Sequence, residues 1–559
     1  MKSKSVLIGI AILASVMLLL SFIKVSSLWA ASPGNLLAGV NSKPMAAKFL
    51  PKRSPLVTSF LVNPDRLARY VQLNLKPSDR RQFSDEISQL KQTLSQQWLL
   101  DYDQDLRPWL DQEITLAVTT PDLDRDRQNG WQPGYLLALS SKDLALTKSK
   151  IEKFWQRQAV NGADLEFEQF QGISIIATKP NAKLNTNQSL AGAVFGKFAL
   201  FANDPRVIRN AINDLQVPDL SLSSLADYQQ GIESLEAAPI NLSFVNASEL
   251  AESDLGDFGE RFLPIKLNLD DLNQNLQDLK DLRGGLTIGL GLPNQGLRAE
   301  TILSLDQPTK FSTVPIHKLQ IAEFVSGGIS HLVGYDLNRT WQELKQTLAA
   351  YPGLAQAFNK LSANFDRHVG VNLEQEVLPW LNGAYALGVS FNRVNNSDSL
   401  RSSNWVLAVE NQAGVDAAIA HLDQVAHEQA KLTIGEVLVN GQTLTVWTKL
   451  EAIGKSNLTG SVVTVHTKTP EYTLLASSVE TIDLALKEKL GQKVKSNQGL
   501  VNAALPARTE GYAYLDRQFP LLRNLPSQVK SLSLIAIAPQ AQDPATIKRG
   551  EILIELGKK

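Results

Sequence analysis

The sequence predicts an α+β protein made of two internally duplicated modules, each a mainly antiparallel sheet with packed helices, behind one N-terminal transmembrane helix. Three observations lead to this prediction. One stretch of sequence occurs twice, apolar residues alternate with two different periods, and an uncharged apolar run lies near the N-terminus. With 559 residues, the chain is also too long for a single hydrophobic core.

The N-terminal segment favours a membrane anchor. Lys2 and Lys4 precede an almost entirely apolar, uncharged run at 6–23, which is long enough to cross a hydrocarbon core of about 30 Å as a helix. Small residues at 30–32 leave a cleaved signal peptide as the alternative. Because the run exceeds a usual signal core, we expect an uncleaved anchor over 1–30. The two lysines favour a cytoplasmic N-terminus, so the rest of the chain is expected outside the cytoplasm.

The internal repeat sets the domain organisation. Residues 103–118 read DQDLRPWLDQEITLAV, and residues 374–389 read EQEVLPWLNGAYALGV. Flanking segments correspond in the same order: 57–71 with 330–344, 135–146 with 405–416, 170–178 with 439–448, 197–212 with 471–486, 241–250 with 513–522, and 298–305 with 549–556. The sequence therefore predicts modules at 46–306 and 324–559, joined by a connection at 307–323.

Two periodicities alternate within a module. Period-two apolar runs such as ITLAV, SIIAT and KFALF predict strands, whereas KSKIEKFWQRQ and PRVIRNAINDL have the helical period. Short turns at 171–172, 196–197 and 440–441 separate neighbouring strands. Such turns predict hairpins and hence antiparallel pairing.

The repeated stretch contains the candidate site residues, as a structural signature. In each copy an acidic pair precedes Pro-Trp-Leu and then a strand. Carboxylates favour a helix N-terminus, proline is tolerated in the first turn, and a tryptophan there can bury a large apolar surface under the sheet. Surface recognition by the tryptophans is the alternative. The signature residues are Asp105, Pro108, Trp109, Leu110, Glu376, Pro379, Trp380 and Leu381.

This order of elements behind an N-terminal anchor resembles a cyanobacterial family catalogued only as domain of unknown function 3352. The resemblance covers most of the chain after residue 45. It implies a cyanobacterial membrane context, with the bulk of the chain on the periplasmic or thylakoid-lumen side. It implies no activity, cofactor or catalytic residue.

Motifs for nucleotide binding are incomplete. Gly192 and Gly196-Lys197 resemble a phosphate-binding loop, but three residues separate the glycines where four are needed, and Phe198 stands where Ser or Thr would hold magnesium. A hairpin turn is the better interpretation. Gly289 and Gly291 lack the third glycine of a dinucleotide fingerprint and lie between two predicted strands.

Metal and catalytic motifs are equally incomplete. Two alternating acidic runs, at 101–105 and 122–126, lack the glycine and the final glutamate of a calcium loop. We expect solvated loops, with weak calcium binding by the second run as an alternative. The six histidines show no metal spacing and are expected to be structural or exposed: His317, His331, His368, His421, His427 and His466.

Composition narrows the classes of function. The chain has 55 basic and 56 acidic residues, which does not favour nucleic-acid binding. It has no cysteine, which excludes disulfides and thiolate chemistry.

A membrane-anchored, non-enzymatic scaffold or assembly protein without a cofactor is the leading hypothesis. Its expected partners are the membrane, through the N-terminal helix, and another membrane or extracytoplasmic protein. A carrier for an apolar molecule such as a lipid or pigment is the first alternative. A hydrolase with an unrecognised site is the second.

Overall fold

The computed structural model describes residues 43–74, 79–126, 128, 130, 132–179, 189–250, 284–291, 296–305, 316–325, 330–348, 359, 363, 372–391, 403–453, 457–489, 505–506, 508–519, 522, 529–538 and 546–556. The chain divides into two compact units. The first consists mainly of residues 7–310 together with 541–549, and the second mainly of residues 311–540 and 550–557. The anchor predicted for 1–30 lies outside the described residues. No helix in the described ranges combines the length and the apolar character needed to cross a bilayer.

The first unit contains an antiparallel sheet with ten described strands. They are β1 (Leu56–Phe60), β2 (Leu110–Thr120), β3 (Gly134–Ser141), β4 (Leu165–Phe170), β5 (Ile173–Thr178), β6 (Ala191–Phe195), β7 (Phe198–Ala202), β8 (Asn241–Asn246), β9 (Gly284–Gly291) and β10 (Gly296–Leu305). In pairing order they run β4–β5–β6–β7–β3–β2–β1–β8–β9–β10. Non-consecutive strands therefore meet at β7–β3 and β1–β8.

Two helices of the first unit are preceded by residues whose side chains accept from a free backbone N–H group. The described helices are α1 (Pro64–Asn74), α2 (Asp79–Trp98), α3 (Leu144–Val160), α4 (Pro205–Gln216), α5 (Ala226–Glu233) and the short α6 (Ala247–Leu250). Asp143 caps α3 by accepting from the backbone N of Leu146 at 3.0 Å. Asp204 caps α4, whose first residue is a proline. Both devices are favoured at helix N-termini.

Each face of this sheet is covered by helical elements. On one face lie α4, α5 and a 3-10 helix at Met45–Phe49, all contributing to one apolar cluster. On the other face α3 packs against the sheet through Phe154 and Trp155. Strand β7 packs on both faces of the sheet. The ring centroids of Phe198 and Phe49 lie 5.2 Å apart on one face, and those of Phe201 and Phe154 lie 5.8 Å apart on the other.

The second unit also contains an antiparallel sheet. Its described strands are β11 (Ser330–Tyr335), β12 (Ala384–Phe391), β13 (Ser403–Glu410), β14 (Thr433–Val439), β15 (Gln442–Ile453), β16 (Asn457–Lys468), β17 (Tyr472–Ala476), β18 (Thr509–Asp516), β19 (Val529–Ile537) and β20 (Ile547–Leu556), which lies mostly in this unit. The antiparallel order is β14–β15–β16–β17–β13–β12–β11–β18–β19. Strand β20 pairs with β19. Counted from β1 and β11, the strand order is the same in both units.

Helical elements cover both faces of the second sheet as well. The described helices are α7 (Leu337–Leu348), α8 (Val415–Glu428) and α9 (Val479–Lys489). A 3-10 helix at Ile316–Val325 and α9 share an apolar cluster on one face, where Phe324 contacts Tyr472 at 5.3 Å. On the other face α8 packs through Leu422 and Val425. Part of the predicted connection at 307–323 therefore lies in the core of this unit.

These observations confirm the predicted combination of helices with mainly antiparallel sheet. The predicted hairpin turns at 171–172, 196–197 and 440–441 are also confirmed, because each joins two paired strands. Gln171 and Asn440, the first residues of two of these turns, have φ of 51°, and the glycine that follows each also has positive φ. That backbone shape matches the twist of the flanking strands.

Candidate functional site

In the first unit the repeated signature forms a single π-helical turn, Tyr102–Leu106. Asp101 caps the turn, because its side chain accepts from the backbone N of Gln104 at 2.7 Å. Pro108 follows the turn and is half-buried, and Leu110 is the first, buried residue of β2. The carboxylates thus lie in a one-turn element where the sequence suggested the start of a longer helix.

The second unit repeats this geometry. A π-helical turn at Leu373–Val377 is capped by Asn372, whose side chain accepts from the backbone N of Gln375 at 2.8 Å. Pro379 lies in a short 3-10 turn directly after it. Leu381 is buried beside these turns.

The two signature tryptophans make the same hydrogen bond. Trp109 Nε1 donates to the carbonyl oxygen of Asp105, and Trp380 Nε1 donates to that of Glu376 at 2.8 Å. Trp109 is fully buried, whereas Trp380 is half-buried. A fully buried ring cannot contact a partner in solution, so the structure gives Trp109 a packing position.

The signature carboxylates connect the turns to helices. Asp105 is 1% exposed, accepts from the backbone N of Asp101 at 3.0 Å, and forms an ion pair with Arg157 of α3. In the second unit the residue that makes such contacts is Glu374, the other member of the acidic pair: it accepts from Trp341 Nε1 at 3.3 Å and forms an ion pair with Lys345, both on α7. Within the described part of the chain, Oε2 of the signature residue Glu376 is buried and has no hydrogen-bond partner. The side-chain hydrogen bond from Lys345 lowers the pKa of Glu374. In each unit, therefore, one carboxylate of the acidic pair connects the turn to a helix, but the two carboxylates stand at different positions of the repeat.

The glycine motifs occupy hairpins and strands. Gly196-Lys197 is the turn between β6 and β7, and an added Cβ at Gly192 would lie 3.0 Å from the Trp155 ring. Gly289 and Gly291 lie within β9, paired with β10. Neither arrangement opens a helix, which both phosphate-binding motifs require.

The second acidic run is a loop with local turns. The backbone N of Asp126 donates to Asp124 Oδ1 at 3.0 Å. Asp122 is 8% exposed, and among the residues that the structure describes neither of its carboxylate oxygens has a hydrogen-bond partner. Over the described ranges, no three metal-binding side chains are grouped so that they could hold an ion.

Four histidines have side chains that the structure describes. The His331 ring stacks on the Tyr514 ring, with 5.1 Å between the ring centroids. His421 and His427 are exposed on α8. His466 is buried on β16. The side chain of His317 and all of His368 lie outside the described residues.

One buried polar cluster lies between α8 and the sheet of the second unit. Asp423 Oδ1 accepts from Trp447 Nε1 at 2.6 Å and faces His466 Nε2 at 2.8 Å. A carboxylate accepts hydrogen bonds, so the imidazole proton is assigned to Nε2. This pair has the form of a base with its orienting acid.

A nucleophile for such a pair would have to come from the same sheet face. Thr464 stands opposite Trp447 in the β15–β16 register, is fully buried, and has an unpartnered hydroxyl. Water and dissolved substrates do not reach a fully buried hydroxyl. The cluster therefore acts as a polar tether that holds α8 on β15 and β16. Sequence reasoning missed it because Asp423, Trp447 and His466 come from three separate elements.

An exposed apolar surface lies at one end of the second sheet. Strands β15 and β16 continue beyond an irregularity in register at 447–448 as a two-stranded extension, here called the distal ribbon (448–453 and 457–462). Its register places Leu450 opposite Gly460 and Thr448 opposite Val462. Leu450 is 52% exposed and Val462 is 44% exposed.

The two faces of the distal ribbon differ in chemistry. Leu450 and Val462 share one face because cross-strand partners and residues two apart point the same way. The other face carries Lys449 and Glu451, whose side chains form an exposed ion pair at 2.7 Å. The first unit has no extension at this place in its described part, where β5 has six residues and β6 has five.

Comparison with known proteins gives a family and no activity. No curated protein and no solved structure matches the chain. A family described as "Protein of unknown function (DUF3352)" matches residues 12–555. This match spans both units and nearly the whole sequence, so the chain belongs to the DUF3352 family.

Proposed function

We propose that this protein is a non-enzymatic interaction protein of scaffold or assembly type. It works outside the cytoplasm, on the periplasmic or thylakoid-lumen side, held by the anchor expected at 1–30. It contacts a membrane or extracytoplasmic protein through the apolar face of the distal ribbon. The observation that carries the proposal is that the exposed side chains of Leu450 and Val462 lie on the same face of that ribbon.

The energetics of a two-stranded ribbon support a partner. A ribbon of two strands is marginally stable alone in water, and covering apolar surface gains about 25 cal/mol per Å². Leu450 and Val462 gain this only if another surface covers them. The ion pair of Lys449 and Glu451 keeps the opposite face in water.

We also infer that the two units are copies of one module. Both have the same strand order, a 3-10 helix before the first strand, and a capped π-helical turn before the second. Because the described part of the first copy lacks the ribbon, the copies would divide the work. In this proposal the second copy carries the contact arm.

Site-specific photo-cross-linking in intact cells tests this function. Full-length, C-terminally tagged protein would carry a benzophenone amino acid at 450, and in a second strain at 462. The matched control carries it at 449, on the opposite face of the same strand. After solubilisation in mild detergent, adducts are separated and identified by mass spectrometry.

We expect a discrete protein adduct from 450 and 462 and little from 449. Absence of adducts at 450 and 462 contradicts a contact through the ribbon. A lipid or pigment adduct instead of a protein would replace the proposal with the carrier alternative.

A further inference from the structure

Strand β14 (Thr433–Val439) forms an exposed edge of the second sheet. Within the described part of the chain it pairs only with β15, so its outer N–H and C=O groups have no strand beside them. Most of its side chains are exposed, with Val437 at 46% and Leu438 at 72%. It contains no proline, and Glu436 is its single charged residue. An edge of this kind is prone to pair with another strand.

The corresponding strand of the first unit is protected by charge. Strands β4 and β14 each end in a two-residue turn, so positions can be matched by counting back from that turn. Glu166 and Glu168 of β4 form ion pairs with Lys179 at 3.0 Å and Arg209 at 3.6 Å. Charged side chains on an edge strand are a common device against pairing.

At the matched positions β14 has neither charge. Gly435 stands at the place of Glu166, and Val437 stands at the place of Glu168. An added Cβ at Gly435 would meet nothing within 4 Å, so space is open beside that residue. The second unit thus lacks the charges that close the edge of the first.

We propose that β14 pairs antiparallel with β14 of a second copy of this chain, with Val437 facing Val437 across the twofold axis. This register places Glu436 opposite Leu438 and Gly435 opposite Val439. It avoids two directly opposed glutamates, which a register centred on Glu436 would create and which are destabilising. The valine of the partner also fills the open space at Gly435.

This interface does not depend on the ribbon contact proposed above. It uses the backbone edge of β14 and joins identical chains by a closed twofold arrangement. The ribbon lies on β15 and β16 and is proposed to bind a different protein. Loss of either interaction leaves the other measurable.

Disulfide trapping gives a sharp test, because the natural chain has no cysteine. Full-length protein in mild detergent would carry Val437→Cys, and a matched variant would carry Leu438→Cys on the same strand. Under mild oxidant we expect a covalent dimer from V437C at least tenfold faster than from L438C. The register predicts this although Leu438 is the more exposed side chain. Equal rates, or faster trapping of L438C, overturn the proposal.

The mass of the unmodified protein provides an independent measurement. Light scattering after size exclusion should give twice the protein mass of one 61.3 kDa chain at high concentration. Val437→Lys and Val437→Glu, each with an unchanged circular dichroism spectrum, should shift this to the mass of one chain. Phe167→Lys on exposed β4 is the control and should leave the dimer intact. A single-chain mass for the natural protein at every concentration overturns the proposal.

Discussion

At the scale of single residues, Asp214 places a carboxyl group in an apolar environment. It lies on α4, is 6% exposed, and its Oδ2 atom has no hydrogen-bond partner in the described structure. Burial disfavours the charged form and raises the pKa of Asp214 to about 7. In an unfolded chain the pKa of an aspartate is about 3.9. Between these two values the folded state binds more protons than the unfolded state.

This difference predicts a loss of stability as pH rises. From about pH 4 to about pH 7 the free energy of unfolding of the first unit should fall, and above pH 7 Asp214 should cause no further change. Asp214→Asn removes the effect. The variant should be more stable than the natural protein at pH 8, by up to about 4 kcal/mol, and nearly equal to it at pH 4. Urea unfolding followed by tryptophan fluorescence at both pH values measures this.

Asp219→Asn is the control for this measurement, because Asp219 is exposed on the short turn that follows α4. It makes the same chemical change at an exposed position and should alter the free energy of unfolding little. If Asp214→Asn gives the same difference from the natural protein at pH 4 and pH 8, the carboxyl group does not titrate between those values.

At the scale of elements, the two π-helical turns share a geometry but bury their tryptophans differently. Trp109 is fully buried among the residues that pack under the first sheet, whereas Trp380 is half-buried. Both make the same indole hydrogen bond to a turn carbonyl. When the same substitution is made at both tryptophans, the loss of this hydrogen bond contributes equally to the two changes in stability. The difference between the two changes then reports the difference in buried area.

The matched pair Trp109→Ala and Trp380→Ala measures that difference. Removing a fully buried tryptophan leaves a cavity and costs about 3–5 kcal/mol, so Trp109→Ala should lower the urea midpoint of the first unit strongly. Trp380→Ala should cost less, because its ring is already partly in water. Equal losses would mean that the hydrogen bond, and not burial, determines the stability of these turns.

The success of sequence reasoning about elements follows from their periodicity. The run that became β5 alternates buried and less buried residues, whereas the run that became β7 is apolar and buried throughout because both of its faces are covered. The runs that became α3 and α4 have the helical period. The π-helical turns could not be predicted, because one turn is too short to show a period. The polar tether of Asp423, Trp447 and His466 was missed for another reason. Its three residues meet only after α8 has packed on the sheet.

At the scale of the whole molecule, the order of strands in a sheet cannot be predicted from the periodicity of apolar residues. Short turns predicted hairpins, but nothing local indicated that β8 would pair with β1 or β18 with β11. Those pairings join residues far apart in sequence, so no local pattern reports them. The repeat in the sequence predicted two modules, and each of the two units has its own two-sided core.

Separate cores predict separate folding. Chains of 43–310 and 311–559, expressed individually, should each show a strand-rich circular dichroism spectrum and a cooperative urea transition, because each unit buries apolar clusters on both faces of its sheet. Trp109→Ala should then shift the transition of the first chain by the same amount as in the full-length protein. Val425→Ala, in the core of the second unit, is the reciprocal control: it should shift the transition of the second chain by the same amount as in the full-length protein. If neither chain folds alone but the two fold when mixed, the units depend on each other for stability and unfold as one cooperative body.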